Sequence, residues 1–536
     1  MGRAHVGSSR QIFVFPLTLS AFLIKTPSPG KHSVKLSHER RYTLAMSPRL
    51  VHWRDLFRLS GLPTFLALAS FVLIVLRAVA SADPYWDTLA YHWPYAARLA
   101  GLCDRECFTL SFGIERRYEG FPLLLTAMQG FLWRLTGTPA FADLINIAAL
   151  IALGVYLRFR FAVPLAWSWL AFLAIPTVQI QLTSSYIDVP VNAAVTLALL
   201  VVLRILVQAD SDHRADILIA LAALGVAVGS KYQMLPVAMI VWGIIILLAI
   251  RNPAIVRAQR RELVFGMLCL AGVIVLLPKL VMNVVNFGNP LHPIEFDFGP
   301  VHFQGSETTM PRNSISDAWV AWPRPVRWLA SVLEFDAFRG RPLPWTLDQA
   351  DIPQSNASFR MGGYFVPYVL GAVALVWWSA RSTPAAKWPA ALVILLSLIC
   401  ASMPMSHELR YYMFWMLTLV SCVLVVAYSP IFANPQQVLQ RKVTNGLVAI
   451  ALASVIMMTG AAYLRVRANT LHDLLVHTDA TVAQIPDGGT LCILNMHPYG
   501  FLYASVFHPP RRYHTRSLRA DEQADCTIRL DLDKQR

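Results

Sequence analysis

A chain of 536 residues that is 56% hydrophobic and only 14% charged, with a mean hydropathy of +0.50, is too apolar for a soluble globular protein and reads as an all-α polytopic membrane protein. The net charge of +15 does not point to nucleic acid, because the lysines and arginines are scattered through short segments between apolar runs, as topology signals are. Membrane lipid is the expected surrounding, and nucleic-acid partners are excluded.

The first 60 residues carry many basic groups around one short apolar stretch, Ile12 to Ile24. That stretch is too short to cross a bilayer and has no defensible small-residue cleavage site, so it resembles a signal peptide only weakly. Met46, followed by SPRLVHWRDLFRL, would serve equally well as a translation start. Residues 1–60 are read as a cytoplasmic N-terminal segment, of which 1–45 stand open as an upstream extension.

The first long apolar run covers 61–82, and the stretch after it, Asp83 to Gly101 (DPYWDTLAYHWPYAARLAG), should lie at the membrane surface. Asp-Pro is a helix-start signal, with Asp83 as cap and Pro84 as first helical residue. From there Asp87, Tyr91, Tyr95 and Arg98 recur at helical spacing, which puts a carboxylate, two phenols and a guanidinium along one face. Pro94 should kink this helix and disturb the alignment beyond Tyr91. A mere anchor needs less polar equipment.

Further spans are expected near 139–157, 161–182, 189–208, 215–230, 232–250, 263–282, 361–380, 388–403, 408–428 and 443–464. The segment 120–135 decides the topology. If it crosses, the arginines of 251–261 fall outside. If it is re-entrant or interfacial, the N-terminus, Arg158 and Arg160, Arg251 to Arg261, Arg381 and Lys387, and Arg441 and Lys442 all lie inside, as positive-inside bias requires. The second choice gives about eleven to thirteen membrane helices in a transmembrane domain at 61–464. Outside it leaves the loop 83–138, the short turn 183–188, the loop 283–360 and the tail 465–536. The long loop, rich in Pro, Trp and Arg, reads as a packed cap. The tail holds two β-rich runs, GGTLCILNM and YGFLYASVF, split by HPYG, and reads as a small α/β appendage.

Cys269, Cys400 and Cys422 fall within spans, whereas Cys103, Cys107, Cys492 and Cys526 fall outside, where oxidation is feasible. Cys103 with Cys107 and Cys492 with Cys526 would pair, free thiols being an equal reading for the second pair. No further ligand lies near Cys103 and Cys107 at metal spacing.

Polar clusters sit at span ends, and the topology puts them on one membrane face. They are Asp83 and Asp87 with Tyr91 and His92; Tyr186 and Asp188; Lys231; Glu408 and Arg410; and Asn286, Asn289 and His292. Ionisable groups at membrane depth are costly, so their convergence argues for a site. Plain structural roles compete: Asp83 and Asp188 cap helices, Lys231 snorkels, Arg410 anchors at the interface, His92 packs, and Asn289-Pro290 shapes a turn. Asp87 is favoured for function by its alignment with Tyr91 and Arg98, and two isolated cations, Lys231 and Arg410, suit an anionic lipid phosphate.

Taken in order, these residues resemble the GT-C superfamily of polytopic glycosyltransferases, which includes protein O-mannosyltransferases, the lipid A aminoarabinose transferase and oligosaccharyltransferases. Asp87-Thr88-Leu89-Ala90-Tyr91 is similar to its first-loop motif Asp-Glu-x-x-Tyr, with Thr88 departing at the second acidic place. Asp188-Val189-Pro190 matches an acidic residue in the next outer loop, Lys231-Tyr232 a lysine before a later span, and Arg410-Tyr411 an Arg-Tyr pair that opens a late one. Gly288 to Pro293 is similar to a Gly-Asn-Pro-x-x-Pro turn. The likeness spans roughly residues 50–465.

The resemblance implies transfer of a sugar from a polyprenyl-phosphate-linked donor to a glycan, lipid or protein acceptor, at the extracytoplasmic side of an inner or plasma membrane. An acceptor hydroxyl must lose its proton as it attacks, which calls for a carboxylate base. Asp87 and Asp188 are the catalytic candidates, and Asp83, Tyr91, His92, Lys231, Asn289, His292, Arg410 and Tyr411 the substrate-binding ones. Cations stabilise the departing phosphate, and a single base predicts inversion. Some members need a divalent metal; with Thr88 in place of Glu the cofactor stays open. A polysaccharide polymerase or ligase using lipid-linked sugar is the nearest alternative. A multi-span transporter would place charges in mid-span and break helices in matching halves.

Overall fold

The computed structural model describes residues 61–84, 86–208, 211, 213–251, 277–308, 322–333, 363–466, 470–496, 498–509, 511–519 and 522–532. The expectations for 1–60, for 252–276 with Cys269 and most of one span, and for 309–321 and 334–362 of the outer loop lie outside those residues.

Helix α1 (Leu62–Ala80) is followed by extended chain at 81–84 and by a helix from Trp86 onward. Asp83 therefore stands ahead of this helix instead of beginning it. Thr88–His92 form a π turn in which Trp93 N–H reaches back to the Thr88 carbonyl, and α2 (Trp93–Leu99) continues with Pro94 near its start. Proline cannot donate to the ladder, and the widened turn just before it is where the expected disturbance falls. After β1 (Phe108–Thr109) come α3 (Phe112–Gly120) and α4 (Leu124–Thr136). At 13 residues α4 is about 20 Å long, too short to cross a hydrocarbon core of about 30 Å. It lies directly on α2, since a Cβ on Gly130 would sit 2.3 Å from the Ala96 carbonyl oxygen.

The bundle continues with α5 (Leu144–Phe161), α6 (Leu165–Leu173), α7 (Pro176–Gln181), α8 (Asp188–Val207), α9 (Arg214–Val228) and α10 (Leu235–Arg251). The run expected as one span at 161–182 is thus two short helices, divided where Pro176 cannot donate. Next come α11 (Leu277–Phe287) and a small sheet of β2 (Ile294–Phe298), β3 (Val301–Phe303) and β4 (Glu307–Thr308), in the order β3-β2-β4. Then follow α12 (Arg324–Val332), α13 (Val366–Ser382), α14 (Lys387–Ser402), α15 (Phe414–Tyr428), α16 (Gln437–Met458) and α17 (Leu471–Val482).

The chain is an integral membrane protein. Among the described residues α1, α5, α8, α14 and α16, two of them lengthened by a 3-10 turn, are long and apolar enough to cross a membrane, and α10 and α15 are shorter apolar helices. Every residue of α15 from Phe414 to Ala427 is buried, as an all-apolar helix at the centre of a bundle should be. Phe65, Ile450 and Met457 stay exposed on the outer helices, where lipid covers them. At the end of α8 away from Asp188, buried Asp216 ties α9 to α5 and α8 through Arg160 (2.8 Å) and Arg204 (2.5 Å).

The tail folds on a four-stranded parallel sheet, β5 (Thr490–Ile493), β6 (His514–Ser517) and β7 (Ile528–Leu530) with β1, in the order β1-β6-β5-β7. The loop after α1 supplies β1, so the tail shares its sheet with that loop. GGTLCILNM does give β5, but the run YGFLYASVF, read as β-rich, forms 3-10 turns at Pro498–Tyr503 and Ser505–Phe507. Its apolar residues face a different demand: Phe501 and Phe507 pack with Trp93, Phe108 and Trp133, which fastens α2 and α4 to the tail. Both expected disulfides form, Cys103–Cys107 and Cys492–Cys526, and Cys400 and Cys422 are buried thiols.

Candidate functional site

Four separate stretches converge at the end of the bundle where α8 and α15 begin. Asp87 lies at the threshold of the π turn and accepts a hydrogen bond from Arg410 Nη1 at 2.8 Å. Arg410 stands on a 3-10 turn, Leu409–Tyr412, that leads into α15. Its guanidinium carbon lies 4.9 Å from the Tyr411 ring centroid and 5.5 Å from that of Tyr186. Lys231, the residue between α9 and α10, sits on the same Tyr411 ring at 5.1 Å and pairs with Asp188 Oδ1 at 2.5 Å. Tyr411 is therefore shared by both cations, each of which carries its own carboxylate.

Exposure separates the two carboxylates. The side chains of Asp87, Arg410 and Lys231 are 14%, 13% and 15% exposed, whereas Asp188 is 1% exposed beneath Lys231. An incoming ligand can reach the first three but not Asp188. Burial opposes ionisation of Asp87, but the Arg410 charge and hydrogen bonds from Arg410 and Tyr91 outweigh it and hold its carboxyl below the usual range. Burial draws the Lys231 ammonium down from its ordinary value against the attraction of Asp188. Burial likewise raises the Tyr91 phenol well above its usual value, which keeps it a neutral donor.

Two residues unremarked in the sequence hold this geometry. Asn192, one turn into α8 and fully buried, donates to the Asp188 carbonyl (2.7 Å) and to the Arg410 carbonyl (3.0 Å), and accepts from Phe414 N–H (2.9 Å). Asp143, on the 3-10 turn before α5, accepts from the Ser185 hydroxyl at 2.9 Å. Asp83 accepts from the Ser185 N–H at 3.0 Å and from the Thr88 hydroxyl, and Trp93 Nε1 donates to the Ser185 hydroxyl at 2.8 Å. Asp83 thus tethers the π turn to the chain entering α8. An Asn in an apolar run at helical spacing from Asp188 was the available sign of Asn192; Asp143 follows a Pro-containing turn and gave none.

Other expected members fall elsewhere. Beyond the π turn the face assumed for one helix diverges: Tyr95 donates to the Ile114 carbonyl (2.5 Å), and Arg98 pairs with Glu115 at 2.8 Å. Asn289 closes a turn by accepting from Leu291 N–H and donating to the Ile294 and Gln304 carbonyls. His292 stacks on Phe287 at 3.8 Å, and its carbonyl oxygen occupies the space a Cβ on Gly120 would need. Among the described residues neither contacts the Asp87–Arg410 cluster. His92 does belong there, wedged between the rings of Tyr91 (4.5 Å) and Tyr186 (5.7 Å). A divalent metal does not fit this donor set: Asp87 and Asp188 are each committed to a cation, and no group of three His, Cys, Asp or Glu gathers among the described residues.

Crystal structures match this fold over most of its length, two of them of one protein. Those two are ArnT from Cupriavidus metallidurans bound to undecaprenyl phosphate, at 13% identity and TM-score 0.51, and ArnT from the same organism in the apo state, at 14% and 0.50. Each match covers 88% of this chain and 89% of that chain. The chain carries the ArnT fold. ArnT is an aminoarabinose transferase of the GT-C family, so the all-α membrane architecture and the GT-C likeness expected from the order of the motifs both stand. No family model and no curated protein sequence matches the chain. At this identity the ArnT likeness is one of fold.

Proposed function

We propose that this protein is a membrane glycosyltransferase that moves a sugar from a polyprenyl-phosphate-linked donor to an acceptor at the extracytoplasmic face, with inversion at the anomeric carbon. The observation that carries this reading is the pair of cations on one tyrosine ring, Lys231 and Arg410, each reachable from outside and each already opposite a carboxylate. A phosphate is the ligand that two such donors, one compact and one forked, would share. The undecaprenyl phosphate bound by ArnT of the same fold supports the choice of carrier.

The parts take these roles. Arg410 and Lys231 neutralise the charge that develops on the departing phosphate. Asp87 is the carboxylate an acceptor hydroxyl can approach, with Tyr91 donating to it; it is the base, or holds the acceptor in line. Asp188, sealed beneath Lys231, keeps that cation in place. Among the described residues no second reachable carboxylate joins Asp87, so a covalent double displacement finds no nucleophile there, which favours inversion. The shared sheet of first loop and tail flanks α2, and acceptor selection is assigned there.

Lipid extraction and native mass spectrometry of the protein purified from membranes should find a bound polyprenyl phosphate. The Lys231→Ala, Arg410→Ala double variant should have lost it while remaining folded. A wild-type protein that neither retains nor takes up polyprenyl phosphate would refute the proposed function.

A further inference from the structure

His92 is a buried imidazole whose surroundings are charged. It lies on the π turn, is 4% exposed, and its Nδ1 is sealed from water with no hydrogen-bond partner among the described residues. Buried polar atoms in native proteins almost always have a partner, so this orphan marks a ring whose hydrogen bonding the ligand-free site leaves incomplete. The groups that face the ring are Asp87 and Tyr91 from its own helix, Tyr186 and Asp188 from the entry to α8, Lys231 before α10 and Arg410 before α15, with Glu408 4.0 Å from Arg410. Without ligand the two cations already face three carboxylates, Asp87, Asp188 and Glu408. Burial, opposed first by Asp87 and reinforced by Lys231, then pushes the ring down to about 4, so it is neutral near pH 7.

We propose that His92 takes up one proton from solvent when the anionic phosphate of the carrier seats on Lys231 and Arg410, which makes carrier binding proton-linked. The inference rests on the function proposed above. A bound phosphodiester adds one negative charge to the cluster around the ring, which raises the imidazole from about 4 toward the mildly acidic range. The protonated ring carries an N–H on both nitrogens, and its charge is met by Asp87 and by the added negative charge of the phosphate. No covalent bond changes; the proton comes from water and returns to it when the carrier leaves.

The test uses full-length protein in nanodiscs and a polyprenyl methyl phosphodiester, a probe with one fixed charge and no titration of its own between pH 5 and 8. Calorimetry in buffers of differing ionisation enthalpy counts protons taken up per probe bound. Wild type should take up about half a proton or more near pH 5.5 and none at pH 8. The variants His92→Asn and His92→Gln should bind with at least about half of the wild-type uptake near pH 5.5 removed. Wild-type binding without uptake between pH 5 and 7, or equal uptake in both variants, overturns the inference while leaving the proposed function in place. If wild type binds no probe at any pH, the proposed function falls and this inference with it. If neither variant folds, the wild-type profile decides alone: uptake confined below pH 7 supports His92, and its absence overturns it.

Discussion

Replacing Asp188 by Asn should make carrier binding fail at alkaline pH. Lys231 Nζ lies 2.5 Å from Asp188 Oδ1 with both side chains largely out of water, and burial already draws the lysine down while Asp188 resists. At an effective dielectric near 20, a unit charge pair about 4 Å apart is worth about 4 kcal/mol, so losing the carboxylate lowers the Lys231 pKa further. A lysine with a depressed pKa is charged below that value and neutral above it, so the lost cation is lost on the alkaline side. Between pH 7 and 9, where His92 is neutral throughout, Asp188→Asn should lose about tenfold or more in affinity for the polyprenyl methyl phosphodiester relative to wild type. At pH 7 the two should differ less. Adding Lys231→Arg should restore flat binding, because a guanidinium stays protonated. Parallel pH profiles for Asp188→Asn and wild type from pH 7 to 9 would show that Asp188 does not hold the charge on Lys231.

Three other substitutions probe different links. Asp87→Asn keeps shape and most hydrogen bonding but removes the base, so turnover should fall at least about a hundredfold with carrier binding retained; an active Asp87→Asn beside an inactive, folded Asp83→Asn would mean the two aspartates are assigned the wrong way round. Asn192→Ala strips buried partners from the Arg410 carbonyl and Phe414 N–H and should cost about 2–4 kcal/mol of stability, read as a lower unfolding midpoint in detergent; an unchanged midpoint refutes its bracing role. Gly130→Ala puts a methyl against the Ala96 carbonyl and should destabilise by about 1–3 kcal/mol, with carrier binding weakened as α2 is pushed away; a neutral effect on both would show that α2 does not depend on this close approach.

Much of the architecture was legible because hydropathy is a property of single runs. The expected spans at 61–82, 189–208 and 388–403 match α1, α8 and α14 to within a few residues, and the short interfacial reading of 120–135 agrees with a 13-residue α4. What failed did so where the deciding partner is distant in sequence. Ile175-Pro176 interrupts a run whose composition alone reads as one span. Phe501, Phe507 and their neighbours alternate like a strand, yet they answer to Trp93 and Trp133, roughly 400 residues earlier, and turn as 3-10 segments. No local period encodes that preference, whereas β5 forms where its neighbours on both sides are other strands.

The site shows the same limit and adds a consequence. Helical spacing connected Asp87 with Tyr91, and the structure keeps that contact, but it also promised Arg98, which the π turn and Pro94 send to Glu115 instead. The guanidinium that Asp87 does meet comes from Arg410, 323 positions away, a pairing no periodicity could supply. Lys231 and Arg410 read as lone cations because the carboxylates they meet at hydrogen-bond distance, Asp188 and Asp87, lie on other helices. Paired, they imply a different resting state from the one isolated charges suggested. A phosphate entering between them competes with Asp87 and Asp188 for the same donors, and of those two carboxylates only Asp87 is exposed enough to turn away. Under the proposed function, carrier binding would then loosen the Arg410 hold that keeps Asp87 a poor base and free it for the acceptor hydroxyl, so that the carboxylate gains basicity only when a donor is in place.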